Sequence, residues 1–420
     1  MKDYMSMSNY AMLAITAVIL SLSCKEKEEE FDWKNAIKDQ QGNAAEYKLG
    51  SELPGWSTGY LDIHAICTGR GECIFYIMPD GTTMVVDAGE IVTVASSVPQ
   101  KPSDNVRPSA TMANYINHFK PKDRAKVDYM LLTHFHEDHM GAKSAGFEGS
   151  GDYVHTGVGA LYDGVRFAKI LDRGYPGYYD DASILPPESL STSEYLKFIR
   201  YAQSQGTRME RFLVGEKNQI CMTGADASKY ASSFSILNIT GNGAVVAVNS
   251  STGGLSVSET AITEENPASL GFHLQYGKFD YIACGDLTSA PQNKMAKYVN
   301  AAISHLEAFK SNHHLNSNSW GSQMIATGFA PDVVISESFV STAPYVPIVE
   351  RELPGKDFYF TSVHPDAVRD NKTVFDRCKA VDGHIVIRVA PGGGQFMVYV
   401  LGASDSGYKI KSINGPYVCR

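Results

Sequence analysis

The chain has 420 residues, of which 43% are hydrophobic, so it is long enough and apolar enough to bury a sizeable core. Its formal net charge is −9, from 46 acidic and 37 basic residues. This balance argues against broad wrapping of nucleic acid or of an anionic membrane surface, because such contacts need a basic face. The net charge therefore does not indicate nucleic acid as a partner. A local basic patch that binds nucleic acid is still compatible with this net charge.

The first 23 residues predict a signal peptide. Ala11 to Leu20 is an apolar run that is too short to span a bilayer comfortably. Small residues before Cys24 resemble a bacterial lipoprotein signal in which Cys24 is the lipidated first residue; an uncleaved anchor and a plain secretory signal are the alternatives. Residues 24–50 are predicted to be an acidic linker, similar to the tether of Bacteroidetes-type surface lipoproteins. We therefore expect an exported protein that is lipid-anchored to the outer membrane or cell surface.

Alternating and apolar runs separated by Gly and Pro turns predict strands, and wider apolar spacing predicts helices. The predicted strands are 61–66, 73–78, 83–86, 127–132, 165–171, 234–239, 269–275, 279–284, 333–335, 384–389 and 395–401, and the predicted helices are 109–119, 192–205, 295–310 and 365–378. Meanders that alternate with helices in two similar halves predict an α+β protein, an αββα sandwich of two mixed β-sheets with outer helices. We expect it to comprise residues 51–420, with an insertion at about 146–210.

Six cysteines follow Cys24, and none belongs to a CxxC pair, so a structural zinc ribbon is not indicated. In an exported protein, Cys67 and Cys73 could pair across the turn between them. Two free, half-buried thiols are the equal alternative, and the spacing leaves both open.

The densest group of potential metal ligands follows the predicted strand 127–132. His134, His136, Asp138 and His139 lie within six residues, and they include three of the 12 histidines in the chain, which makes a chance cluster improbable. Residues two apart in an extended segment point the same way, so His134 and His136 can bind one ion. Asp138 and His139 are then placed to hold a second ion beside it. Imidazole and carboxylate are ligands that zinc and neighbouring divalent metals accept, so this stretch predicts a metal site.

These motifs resemble those of the metallo-β-lactamase superfamily over about residues 57–403. The segment 133–139 matches its histidine signature, 87–89 and 285–286 match its earlier and later Asp motifs, and His313 or His314 matches its final histidine. Within the superfamily, the hydrolase-like domain of bacterial DNA-internalisation (competence) proteins is most similar, through the stretches 69–72, 266–269, 285–286 and 312–317. Leu315 and Asn316 stand where that branch has Gly and Ser.

The resemblance implies a metallo-β-lactamase fold and two divalent ions, zinc in the first place with manganese or iron as alternatives. His134 and His136 would bind the first ion. Asp138, His139 and one of the two later histidines would bind the second, and Asp286 would bridge them. The implied metal ligands are thus His134, His136, Asp138, His139, Asp286, His313 and Asp172, and the implied catalytic residues are Asp138, Asp286 and His314.

The third ligand of the first ion is open in this pattern. Asp172 at a predicted strand end is better placed than His155, and it is also possible that neither binds. Asp87 would orient the histidine loop through hydrogen bonds to the backbone or to a ligand ring, as residues around a metal site do.

Two ions ~3.5–4 Å apart can share a water molecule and lower its pKa towards neutrality, while the carboxylate of Asp138 or Asp286 accepts the proton. An aspartate at the bridging position favours phosphoesters over β-lactams, because the commonest true β-lactamases lack it. The sequence therefore predicts an exported metal-dependent hydrolase for a small-molecule or polymeric phosphoester, of the phosphodiester type. The alternatives are a non-catalytic surface binding module with a degenerate metal site, and a lactonase or β-lactamase.

Overall fold

The computed structural model describes residues 31–33, 47–91, 97–144, 146–181, 184–187, 189–249, 251–320, 330–404 and 406–420. The strands are β1 (Leu61–Ala65), β2 (Ile74–Ile77), β3 (Thr83–Val86), β4 (Val127–Leu131), β5 (Phe167–Asp172), β6 (Arg208–Arg211), β7 (Phe234–Gly241), β8 (Ala244–Val248), β9 (Leu255–Ser258), β10 (Gly271–Tyr276), β11 (Phe279–Ala283), β12 (Ala308–Lys310), β13 (Val333–Ser336), β14 (Asp357–Phe360), β15 (His384–Val389), β16 (Gln395–Leu401) and β17 (Ile410–Val418). The helices are α1 (Pro108–Phe119), α2 (Glu137–Met140), α3 (Gly157–Gly164), α4 (Leu190–Ser204), α5 (Ala227–Tyr230), α6 (Ser289–Ala302), α7 (Val346–Glu352), α8 (Pro365–Asp370) and α9 (Lys372–Phe375).

The strands form two mixed sheets. The first sheet has the order β17-β16-β15-β1-β2-β3-β4-β5-β6, and its strands β3 to β6 are parallel. The second has the order β14-β13-β12-β11-β10-β7-β8-β9, and its strands β11 to β14 are parallel. Each sheet thus joins an antiparallel meander to a parallel half.

Three apolar layers hold these sheets and helices together. At β4 and the residue after it, for example, Tyr129 and Leu131 face the space between the sheets, while Met130 and Leu132 face the outer helices, as the two-residue period of a strand requires. Helices α1, α3 and α4 cover the outer face of the first sheet, and α6 and α7 cover that of the second. The predicted αββα sandwich of two mixed sheets with outer helices is confirmed.

Two predicted helices are wrong in extent. The helix predicted at 295–310 ends at Ala302, and residues 308–310 form the buried parallel strand β12. A three-residue strand buried on both faces has no alternating pattern to mark it. The helix predicted at 365–378 is two short helices, α8 and α9.

The segment 146–210 is continuous with the first sheet. It folds as α3, β5, α4 and part of β6, and β5 pairs directly with β4 in parallel. The carboxyl end of β5 therefore lies beside the carboxyl end of β4, at the edge of the sheet where the histidine motif begins.

The predicted signal peptide and Cys24 lie outside the described residues, as does most of the predicted linker. Phe31 and Trp33, within that linker segment, pack against Tyr60 with ring centroids 6.0 and 6.4 Å away. Cys67 and Cys73 are buried free thiols. In the described part of the chain, every helix is too short or too polar to cross a membrane.

Candidate metal centre

The histidine motif occupies the turn between β4 and the short helix α2. Thr133 and the buried His134 continue the strand direction, His136 is extended at the start of α2, and Asp138 and His139 lie within its single turn. Gly141, at φ 89°, ends the helix. The turn thus places four potential ligands at the carboxyl end of β4.

Asp87 fixes this turn, as its predicted role requires. One carboxylate oxygen accepts from the backbone N–H of Thr133 at 2.8 Å, and the other accepts from the Thr133 hydroxyl at 2.8 Å and contacts Nδ1 of His139 at 2.7 Å. The contact at Nδ1 leaves Nε2 of His139 to face the centre. Asp87 itself sits at φ 61°, a left-handed conformation that costs energy and persists because these bonds hold it.

The loops after β1 and β3 also hold the backbone of α2. The N–H of Ala88 donates to the carbonyl of His139 at 2.8 Å, and that of Glu72 donates to the carbonyl of Asp138 at 2.8 Å. A Cβ atom on Gly89 would lie 1.8 Å from the Asp138 carbonyl, so only glycine allows this approach.

A buried cluster forms where the two sheets meet at this edge. His139 Nε2 lies 3.1 Å from Asp286 Oδ1, and His314 Nε2 lies 3.0 Å from Asp138 Oδ2 and 3.2 Å from Asp286 Oδ2. Asp286 follows β11 and His314 follows β12, so both come from the second sheet. The predicted ligands Asp138, His139 and Asp286 are thus brought together with His314, one of the two alternatives for the last ligand.

Two atoms in this cluster indicate an ion. His139 Nε2 and Asp286 Oδ1 are buried and make no hydrogen bond within the structure, which is costly for polar groups away from water. They face one another alongside Asp138 and His314, and imidazole nitrogen with carboxylate oxygen is a donor set that zinc accepts. The residues therefore fit a divalent metal.

Glu72 is a member of the cluster that sequence reasoning missed as a site residue. It belongs with His139, Asp286 and His314 to a group whose candidate ligand atoms lie within 4.8 Å of one another. Its carboxylate contacts the Nδ1 atoms of His314 at 3.0 Å and His139 at 3.6 Å, and it pairs with the buried Lys310 at 2.5 Å. Its negative charge thus lies on the Nδ1 side of both imidazoles, whose hydrogen bonds run from His139 Nδ1 to Asp87 at 2.7 Å and from His314 Nδ1 to the Glu337 carbonyl at 3.1 Å. The only signal was its place in the 69–72 stretch.

The charges in the cluster favour a cation. Burial alone would lower the pKa of His139 and His314, but Asp286 and Glu72 raise both pKa values well above the usual range. The same imidazoles hold the pKa of Asp138 and Asp286 below its usual range despite burial. Since metal binding must displace protons from these rings, affinity should fall as the pH falls.

His134 and His136 form the other predicted pair. Nε2 of His134 lies 3.1 Å from Nδ1 of His136, so the two rings converge. Burial, then the neighbouring His139, lowers the pKa of His134 well below its usual value, which keeps that ring neutral and able to bind metal.

Neither candidate for a third ligand forms a group of potential metal ligands with His134 and His136 in the described residues. The carboxylate of Asp172 accepts from the hydroxyls of Tyr178 and Tyr195 and from the backbone N–H groups of Gly174 and Tyr175. His155 Nε2 contacts Asp163 at 2.8 Å. In the described part of the chain, His134 and His136 therefore lie close together without a third side-chain ligand.

His313 and His314 have different surroundings. His313 contacts Asn318 through Nδ1 at 2.7 Å and Asn266 through Nε2 at 3.3 Å, and it is 3.9 Å from Asp286. His314 faces the cluster, so of the two alternatives it is the one whose Nε2 lies among the other potential ligands.

Three consecutive residues here adopt left-handed conformations: His313, His314 and Leu315, with φ of 47°, 53° and 61°. Leu315 stands where the resembled branch has Gly, and such a conformation costs about 1–2 kcal/mol for a residue with a side chain. Its side chain is fully buried in the outer core of the second sheet, worth about 1.5–3 kcal/mol. Burial of the Leu315 side chain therefore offsets the strain of its backbone.

A cavity of about 810 Å³ opens at the same edge. Its walls include Leu185, Phe212, Asn242, Val257 and Glu259, from the carboxyl ends of β6 and β7 and the segments beside them. Two of its walls, Leu185 and Asn242, contact Arg173 directly after β5, the strand that pairs with β4. Its size suits an organic group of drug-like dimensions.

No protein-family model matches the sequence, and no curated protein does. Solved structures match at low identity: CmlA, a diiron β-hydroxylase from Streptomyces venezuelae, at 10% identity and a TM-score of 0.36, and a mutant of CmlA β-hydroxylase at 12% and 0.37. Each of these matches covers 80% of this chain, which spans 55% of the matched chain. A proposed metal-dependent hydrolase from Parabacteroides distasonis is 13% identical with a TM-score of 0.33, over 75% of this chain and 98% of its own. These likenesses are too weak to assign an activity.

Proposed function

We propose that the chain is a metal-dependent hydrolase of the metallo-β-lactamase superfamily that acts on a phosphoester, of the phosphodiester type. The observation that carries the proposal is the buried convergence of Asp138, His139, Asp286 and His314, in which His139 Nε2 and Asp286 Oδ1 face each other at 3.1 Å without hydrogen-bond partners. This donor set suits zinc, with manganese and iron as alternatives.

A bound pair of divalent ions would supply Lewis acidity towards a phosphoryl oxygen and an activated water at neutral pH. The chain's own residues set the geometry: Asp87 holds the His139 ring and the Glu337 carbonyl holds the His314 ring, each through Nδ1, with the Glu72 carboxylate beside both. Asp286 is fully buried and faces both rings, so it would hold an ion together with them. Asp138 is 22% exposed, so it can accept a proton from water that enters from solvent.

The protein reconstituted with Zn²⁺ or Mn²⁺ is expected to hold about two ions per chain and to hydrolyse bis-p-nitrophenyl phosphate. The variant Asp138→Ala should lose turnover, because it lacks the partly exposed carboxylate, whereas the control Asp123→Ala, an exposed loop residue, should retain it. Elemental analysis measures the bound ions, and initial rates measure turnover of bis-p-nitrophenyl phosphate and, in separate assays, of nitrocefin and acyl-lactones.

Fewer than ~0.2 ions per chain after reconstitution would contradict the metal centre. Two bound ions with turnover of nitrocefin or acyl-lactones alone would overturn the substrate class and retain the centre.

A binding module is the second candidate. The first histidine pair lacks a third side-chain ligand in the described residues, and Asp172 is fully engaged by other donors. A ligand whose affinity is unchanged by EDTA would favour this alternative over hydrolysis.

The small residues before Cys24 and the charged segment after it support a further proposal, that the protein is exported and lipid-anchored to the outer membrane or cell surface. In cells that process lipoproteins, Cys24→Ser should move the protein from the membrane fraction to the soluble fraction and abolish incorporation of labelled palmitate. Retention of label in that variant would show that Cys24 is not the lipidated residue.

A further inference from the structure

Arg173 lies at the end of β5 with its side chain fully buried. Its Nε donates to Glu265 Oε2 at 3.1 Å and its Nη2 to Glu265 Oε1, so the pair is bidentate. Nη1 donates to the carbonyl of Leu185 at 2.6 Å and contacts the side-chain oxygen of Asn242 at 3.4 Å. Since a buried guanidinium is costly without such partners, Arg173 holds one fixed position.

The same ion pair contacts Phe135, which lies between His134 and His136. Glu265 Oε2 accepts from the backbone N–H of Phe135 at 3.2 Å, and the Arg173 guanidinium lies over the Phe135 ring at 4.5 Å. On its other sides the Phe135 ring packs near Tyr195 and Tyr178, with ring centroids 5.6 and 6.1 Å away. Both the backbone and the side chain of Phe135 are thereby fixed.

Fixing Phe135 fixes the histidines on either side of it. The backbone bends at Phe135 and His136, so the angles at Phe135 set how the two rings approach each other. The separation of 3.1 Å between His134 Nε2 and His136 Nδ1 therefore depends on the backbone at Phe135. His136 is exposed and has few other contacts. Because the histidine pair also lacks a third side-chain ligand in the described residues, its metal affinity depends on how the Arg173–Glu265 ion pair holds Phe135.

We infer that Arg173 and Glu265 are positioning residues for the first metal: their ion pair sets the spacing of His134 and His136 and so raises that pair's affinity, without contact with the ion. This inference rests on the proposed metal-dependent function. It assigns a role to a buried charged pair outside the ligand set. Arg173 follows the predicted ligand Asp172 in sequence, and Glu265 contacts Phe135 between the two histidines.

Titration of metal-free protein with Co²⁺ tests the inference, because the ligand-field spectrum and a competing chelator report the two ions separately from activity. Glu265→Gln should weaken the first ion about 10- to 100-fold and leave the ion at His139, Asp286 and His314 unchanged. The control is Glu264→Gln, the exposed neighbour, which should bind both ions as the natural protein does.

A second variant separates positioning from folding. Arg173→Gln with Glu265→Gln removes the unpaired buried charge, so it should regain thermal stability and still bind the first ion weakly. Two ions bound at natural affinity in either variant would overturn the inference, as would equal weakening of both ions. If the natural protein holds only the second ion, the inference fails and the proposed function stands; if it holds none, the proposed function fails.

Discussion

His314→Asn is expected to remove one of about two bound ions and to lower bis-p-nitrophenyl phosphate turnover by more than about 100-fold. The reason is geometric: His314 Nε2 faces Asp138 and Asp286 at 3.0 and 3.2 Å, inside the buried cluster. Asparagine tolerates the left-handed conformation at φ 53°, so the variant changes the ligand and leaves the turn intact. Metal content by elemental analysis and steady-state rates measure the two effects.

The matched control is His313→Asn. His313 has nearly the same backbone conformation, with φ 47°, but it contacts Asn266 and Asn318 and lies 3.9 Å from Asp286. It should keep both ions and most of the turnover. If His313→Asn loses an ion and His314→Asn does not, the assignment of the two histidines is reversed.

The histidine motif and the fold could be predicted because their signals are local. His134 to His139 are contiguous, and the predicted strand before them places them at a sheet edge. Asp87 follows a strand that neighbours β4, so its contact with Thr133 and His139 also follows from topology. The short buried strands β12 and β14 carry no alternation, and the spacing of residues 295–310 predicts β12 as the end of a helix.

The rest of the site depends on contacts between distant segments. Nothing in the local sequence says that Lys310 on β12 meets Glu72, or that Glu265 reaches Phe135. The choice between His313 and His314 depends on the backbone angles of one turn. Asp172 does lie at a strand end as predicted, but Tyr178 and Tyr195 occupy its carboxylate, and their approach depends on how the segment after β5 folds.

Asp62→Ala is expected to cost about 3–5 kcal/mol of unfolding free energy, because it leaves a buried arginine without its counter-charge. Asp62 and Arg388 are directly opposite on β1 and β15, both fully buried, and bond through Nε at 2.8 Å and Nη2 at 2.5 Å. Burial alone would raise the pKa of Asp62, but Arg388 holds it below the usual range. Urea unfolding at neutral pH measures the loss.

The sign of the pH dependence provides a further check on this ion pair. A carboxyl group whose pKa is lowered by folding stabilises the fold above its unfolded pKa of about 4, and that stabilisation is lost as the pH falls through the folded value. The difference in unfolding free energy between the natural protein and Asp62→Ala should therefore shrink on acidification.

The control variant Asp370→Ala, which breaks the exposed Arg369–Asp370 pair, should have no measurable effect on unfolding free energy. Replacing both charges, as Asp62→Leu with Arg388→Met, should recover most of the loss, because apolar side chains leave no charge unpaired. If that double variant is as unstable as Asp62→Ala, the cost arises from packing rather than from the stranded charge.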